Sequence, residues 1–182
     1  MLIEAQDSTL LVIDVQERLL PGVHEHETLV KNCRWLIEVA QLMDVPVRFT
    51  EQYPKGVGPT TDQLLELAGD ANPAIAKTVF SCADAPECAS LLSEARGKTF
   101  VLCGMEAHVC VMQTALGLHQ AGNKVFVVAD AISARNPLDT EIALQRLRDE
   151  GVRVVTREMV GFEWVRDSLA PQFKTFSQKF LR

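Results

Sequence analysis

The stretch Lys98–Asp130, KTFVLCGMEAHVCVMQTALGLHQAGNKVFVVAD, decides the fold. It opens on an apolar run, KTFVLC (Lys98–Cys103), and closes on another, NKVFVVAD (Asn123–Asp130). Between them lies a helical pattern that contains Cys110 and stops at Gly122. A strand, a helix and a strand in that order make a crossover unit. Its strands run parallel, and the connection is right-handed.

Further strands follow outward from that unit. STLLVID (Ser8–Asp14), VPVRFTE (Val45–Glu51) and VRVVT (Val152–Thr156) read as strands, and PAIAKTVF (Pro73–Phe80) as a weaker one at an edge. Nearly continuous apolar strands indicate a sheet covered on both faces. The intervening segments carry helix punctuation. Leu29–Met43 is apolar at helical spacing. Asp84-Ala-Pro-Glu87 offers an N-cap with a Glu at N3, and Gly97 ends that helix. Asn136-Pro137 starts another helix, with Gly151 after it. The pattern predicts an α/β fold of three layers, α/β/α. Its mostly parallel six-stranded sheet is doubly wound and Rossmann-like, in the order 3-2-1-4-5-6. The length of 182 residues predicts a single domain, 1–182. From about residue 157 the tail REMVGFEWVRDSLAPQFKTFSQKFLR, broken by Pro171, predicts two short helices packed on the body or on a partner subunit.

Composition narrows the function. The net charge is −6, and no basic cluster marks a nucleic-acid partner. The opening MLIEAQDSTL lacks a basic n-region and a long apolar h-region. No apolar run nears the ~20 residues that span a bilayer. A cytoplasmic protein without membrane or nucleic-acid partners is expected. Five cysteines, an odd count, argue against a disulfide framework. No C-x-x-C or H-x-x-x-H spacing suggests a metal site.

In doubly wound sheets, ligands bind beyond the carboxyl ends of the strands, where the strand order reverses. For the order above, that switch point brings Asp14 near Cys103–Gly104 and the loop leading to Cys110. Asp14 ends an apolar strand, where a carboxylate needs a partner. The chain has no G-x-G-x-x-G, and Gly97-Lys98-Thr99 does not complete a G-x-x-x-x-G-K-[ST] loop because Leu92 stands where the first glycine is needed, so nucleotide binding finds no support. Lys77 has two readings: an edge lysine with its stem on the sheet, or a cation that favours a nearby thiolate. Cys110 is either a small core thiol or a nucleophile whose thiolate is stabilised by helix N-terminal amides. Cys33, Cys82, Cys88 and Cys103 read as core or half-exposed thiols. His24 and His26 lie in a polar loop, and His119 in mid-helix. His108 lies two residues before Cys110, but adjacency in the chain does not set imidazole beside thiol.

LLVIDVQERLLPGV, IAKTVFSC and LCGMEAHVCVMQTALGLHQAGNKVFVVADAISAR together resemble three motifs of the isochorismatase-like cysteine hydrolases. That family includes nicotinamidases, N-carbamoylsarcosine amidases and isochorismatases. The resemblance covers nearly the whole chain and implies a catalytic triad of Asp14, Lys77 and Cys110. It implies an oxyanion hole from the backbone N–H groups of Glu106 and Cys110, with a cis peptide at Met105–Glu106. Gln16 is implied as a polar contact to substrate or to the site's entrance. FTEQYPKGVGPT lacks the Asp-x-His of the metal-bearing nicotinamidases, so no metal and no cofactor are expected. TEQYPKGVGPT, GMEAHVCV and FEWVRDSLAPQFKTFSQ look most like the isochorismatase-domain-containing subgroup. Members are usually homo-oligomers, so a dimer or tetramer is expected. For Tyr53, in the Gly- and Pro-rich loop, a pocket wall and a surface ring are equal readings. Phe80 is placed to wall the site, and His108 to support it beside substrate. The resulting expectation is a hydrolase of a small amide or related C–N bond through a thioester. The alternatives are an acid–base vinyl-ether hydrolase of the isochorismatase type and a binding protein that keeps the fold.

Overall fold

The computed structural model describes residues 1–69, 73–94 and 99–181. Six strands form one sheet: β1 (Ser8–Ile13), β2 (Val47–Gln52), β3 (Ile75–Lys77), β4 (Thr99–Met105), β5 (Lys124–Ser133) and β6 (Arg153–Val155). Their order is β3-β2-β1-β4-β5-β6, and every neighbouring pair is parallel. The predicted order holds, and the weak Pro73–Phe80 strand is indeed at an edge, cut down to three residues.

Alternation along the strands builds two cores. Leu10 and Val12 of β1, Val101 and Cys103 of β4, and Phe126 and Val128 of β5 face one side. Leu11, Ile13, Phe100, Leu102, Val125 and Val127 face the other. Because both faces are covered, β1 is buried along its whole length.

The helices are α1 (His26–Leu42), α2 (Pro54–Val57), α3 (Asp62–Ala68), α4 (Ala89–Glu94), α5 (Met112–Gln120), α6 (Pro137–Asp149), α7 (Arg157–Val165) and α8 (Phe173–Phe180). Residues of α1, α3, α7 and α8 join the first core, and residues of α4, α5 and α6 join the second. The Asn136 side chain caps α6 by accepting from the Leu138 N–H at 3.1 Å. The Asp84 capping motif takes another form: Pro86–Cys88 is a single 3-10 turn leading into α4. Gly97 lies outside the described residues.

The aromatic tail packs on its own body. Phe176 and Phe180 meet Trp35 of α1 edge-on, with centroids 6.1 and 5.6 Å away. Trp35 Nε1 donates to the Phe180 carbonyl at 3.1 Å, and Trp164 Nε1 to Ser8 Oγ at 3.2 Å. No described helix is long and apolar enough to cross a membrane.

Candidate active site

The site forms where β1 meets β2 and β4. Ile13 is in register with Thr50 on one side and with Gly104 on the other. The next residue, Asp14, turns out of the strand with φ 52°, and its N–H still donates to the Thr50 carbonyl at 3.1 Å. Gly104 allows this crowding. Its φ is +121°, and a Cβ there would lie 2.1 Å from the Ile13 carbonyl oxygen. Only glycine fits that approach.

Lys77, the last residue of β3, reaches across β2. Its Nζ donates to Asp14 Oδ2 at 2.7 Å, to Gln52 Oε1 at 2.9 Å and to the Phe80 carbonyl at 3.0 Å. An ammonium has three protons, so every donor is engaged. The second Asp14 oxygen, Oδ1, accepts from Thr50 Oγ1 at 2.7 Å. The ion pair is almost completely shielded from water, with side-chain exposures of 0% and 1%. Of the two sequence readings for Lys77, the solvent-facing edge lysine is therefore excluded.

Cys110 arrives from the β4 side. The cis Met105–Glu106 peptide follows Gly104, and Ala107–Val111 forms a π-helical turn ahead of α5. The Val111 N–H donates to the Glu106 carbonyl at 3.2 Å, closing that wide turn. Such turns inside or beside helices recur at functional sites. The thiol is 6% exposed. The Asp14 carboxylate, Lys77 and the Glu106 N–H are the groups that act on it. Burial pushes its pKa up from 9.0 to about 12. The Asp14 charge adds to the rise, and Lys77 opposes it. A thiolate held by helix amides was one of the two readings of the sequence. The resting group is instead a protonated thiol with a carboxylate beside it, because desolvation and Asp14 outweigh the N–H groups and Lys77.

The other expected residues take different places. Gln16 is fully buried and bonded to backbone. Its Nε2 donates to the carbonyls of Gln52 at 3.0 Å and Gly58 at 2.6 Å, and its Oε1 accepts from the Gln52 N–H at 2.7 Å. Its amide ties the turn after β1 to the end of β2 and the loop beyond it, and both of its donors are engaged there. Tyr53 and Phe80 are 55% and 50% exposed. Tyr53 lines a cleft of about 240 Å³ with Lys55, Ala76, Thr78 and Glu87. Phe80 contributes its carbonyl to Lys77. His108 sits between Glu106 and Asp139 at 4.0 and 3.9 Å, and its Nδ1 is buried without a hydrogen-bond partner. Glu106 also accepts from Arg135 Nε at 3.0 Å.

Thr50 and Gln52 were missed by sequence reading. They stand two apart in VRFTEQ and so share one face of β2. Two polar groups on one face at the end of a buried strand are the signal that could have found them. A larger cleft, about 410 Å³, lies away from Asp14, Lys77 and Cys110, between α1, β5 and α6, lined in part by His24, Asn32, Ser133 and Thr140.

Comparison with known proteins agrees with this fold. Residues 8–159 match the isochorismatase domain family. The isochorismatase domain-containing protein 2 of Danio rerio is 37% identical over 179 residues, which cover 98% of this chain and 89% of that protein. The structure of the MAR1 ribonuclease from Caenorhabditis elegans superposes with a TM-score of 0.92 at 33% identity, covering 100% of this chain and 93% of that one. The YcaC gene product of Escherichia coli, described as an octameric hydrolase of unknown specificity, superposes with a TM-score of 0.91 at 26% identity, covering 100% and 92%.

Proposed function

The chain belongs to the isochorismatase domain family, and from that premise we propose that it is a metal-independent cysteine hydrolase acting on a small amide or related C–N bond. One observation carries the reading: the Cys110 thiol stands within reach of the Asp14 charge, and Asp14 is itself fixed by a fully engaged lysine. The proton therefore has a defined route. Asp14 takes the Cys110 proton as Sγ attacks the carbonyl carbon, so the thiolate exists only as the C–S bond forms. The oxyanion accepts hydrogen bonds from the backbone N–H groups of Glu106 and Cys110. Asp14 then returns the proton to the departing nitrogen as the C–N bond breaks. A water attacks the thioester, Asp14 removes its proton, and the acid leaves with the thiol restored. Lys77 keeps Asp14 aimed and balances its charge throughout.

Tyr53, Phe80 and His108 are the candidates to shape the substrate pocket. Gln16 holds the 52–58 segment beneath it. A homo-oligomeric assembly of this chain is supported by the octameric E. coli relative.

A second reading has its own support. A thiol raised to about 12 is a poor resting nucleophile, which favours acid–base hydrolysis of a vinyl ether by Asp14 with Cys110 as a bystander. The ribonuclease name of the C. elegans neighbour adds RNA to the test. The net charge of −6 and the committed Lys77 ammonium give a phosphodiester little to bind.

Turnover of small amides, carbamoyl compounds, isochorismate and a short RNA, by wild type, Cys110→Ala and Asp14→Asn, separates these readings. Amide turnover lost in both variants supports the thioester route. Isochorismate turnover that survives in Cys110→Ala and fails in Asp14→Asn supports the acid–base route.

A further inference from the structure

We propose that Cys82 and Cys88 are a modification site: a buried dithiol that hydroperoxides convert reversibly into a disulfide. Neither residue is used by the hydrolytic reading. Their Sγ atoms lie 3.1 Å apart, both thiols are free, and both side chains are fully buried. A disulfide needs about 2.05 Å between sulfurs, so an approach of roughly 1 Å completes the bond.

The surrounding chain holds the two residues in place. Cys82 follows the segment that supports Lys77, and its N–H donates to Thr114 Oγ1 at 2.9 Å. Cys88 closes the Pro86–Cys88 turn, with its N–H donating to the Ala85 carbonyl at 3.0 Å. Between them the backbone folds back once, with the Ala85 N–H on the Cys82 carbonyl. One surface turn covers the pair. Asp84, Pro86, Glu87 and Ala89 are exposed, and the 240 Å³ cleft reaches Glu87.

The chemistry is divided between the sulfurs. The hydrogen bond from Cys82 and the positive charge of Lys77 favour the Cys88 thiolate, and the Cys82 thiol keeps its proton. The Cys88 thiolate attacks the peroxide oxygen, leaving a sulfenic acid and, after protonation, water. The Cys82 thiol then attacks the Cys88 sulfur and displaces a second water. Two thiol hydrogens are lost, and one hydrogen peroxide is reduced to two waters. The bond would tether Cys82 two residues from Phe80, whose carbonyl is one of the Lys77 acceptors. Cys103 and Cys33 also neighbour one another, but that pair lies between α1 and the sheet, the Cys33 thiol donates to the Ala131 carbonyl at 3.6 Å, and the pair serves as an internal comparison.

The test is treatment of the full chain with hydrogen peroxide, then denaturation, capping of remaining thiols with N-ethylmaleimide, and peptide mapping. The same is done with Cys110→Ala, to remove competition from that thiol, and with Cys88→Ser, after circular dichroism shows that it folds. The expected result is a Cys82–Cys88 link in wild type and in Cys110→Ala, a mass lower by two hydrogens, and reversal by dithiothreitol. Cys82 stays maleimide-reactive in Cys88→Ser. The proposal is overturned if Cys82 and Cys88 remain capped while another cysteine oxidises, or if either sulfur is found linked to a different partner.

Discussion

Lys77 Nζ lies 2.7 Å from Asp14 Oδ2, and neither side chain is open to water. The pair spans β2, from the edge strand to the strand beside the sheet's switch point. In such a setting each charge is tolerable only because of the other.

Lys77→Met leaves the carboxylate buried without its cation, with only the Thr50 hydroxyl still bonded to it. Its unfolding free energy in urea should fall by about 3–5 kcal/mol. Asp14→Asn combined with Lys77→Met should recover part of that loss, because the stranded charge is gone. A single-variant loss under about 1 kcal/mol, the range of exposed pairs, would contradict this coupling.

The protonated thiol predicts an unusual labelling profile. The folded state holds the Cys110 proton up to about 12, against 9.0 ordinarily. This group's contribution to stability is therefore present below pH 9 and is lost as pH rises from there towards 12. Iodoacetamide labelling of Cys110 should be slow at pH 7 and climb through pH 10 without a plateau. Asp14→Asn removes the negative charge that raises the thiol's pKa. It should label faster than wild type at the same pH while losing turnover. A plateau between pH 7 and 8 in wild type, followed site by site with mass spectrometry, would mean that a thiolate already exists at rest.

Gln16→Ala removes three hydrogen bonds between β1 and the Gln52–Gly58 segment. The cost should be about 1–3 kcal/mol. Amide hydrogen exchange should speed up in residues 53–60 and stay unchanged in β5. Unchanged protection in that loop would show that the loop's own bonds, such as Thr60 N–H to Glu51 Oε1 at 2.7 Å, hold it unaided.

Gly104→Ala tests the crossing of β1 and β4. The added methyl meets backbone at Ile13, so no side-chain rotation relieves it. The loss should be roughly 3 kcal/mol or more, read as a lowered midpoint in thermal unfolding. Wild-type stability in this variant would show that the two strand tips do not approach as closely as described.

Strand order and layering were legible because β-branched and apolar runs alternate with helix punctuation. Ser8–Ile13 and Thr99–Met105 bury every residue, and periodicity reports that directly. The site was legible less evenly. Asp14 and the Cys110 loop follow from topology alone, since the switch point selects those strand ends. Lys77 does not. Its reach across β2 depends on a side-chain path that no spacing encodes, and the family motif supplied it. Gln16 shows the opposite limit. A glutamine two residues after Asp14 reads as a contact to substrate or to the site's entrance, yet its amide matches nearby backbone groups and bonds them. The state of Cys110 was equally hidden, because it depends on burial against charge at one atom. The capping motif at Asp84 was overridden by Pro86, whose ring fits the start of a tight turn.

The central claim is that Cys110 carries the substrate's acyl group. Rapid acid quench of the protein with each small amide or carbamoyl compound, followed by intact mass and peptide mapping, tests it most directly. The account predicts a mass increment equal to the acyl fragment, located on Cys110 and absent from Cys110→Ala. Steady amide turnover in Cys110→Ala at the wild-type rate, with no adduct on the wild-type thiol, would contradict it.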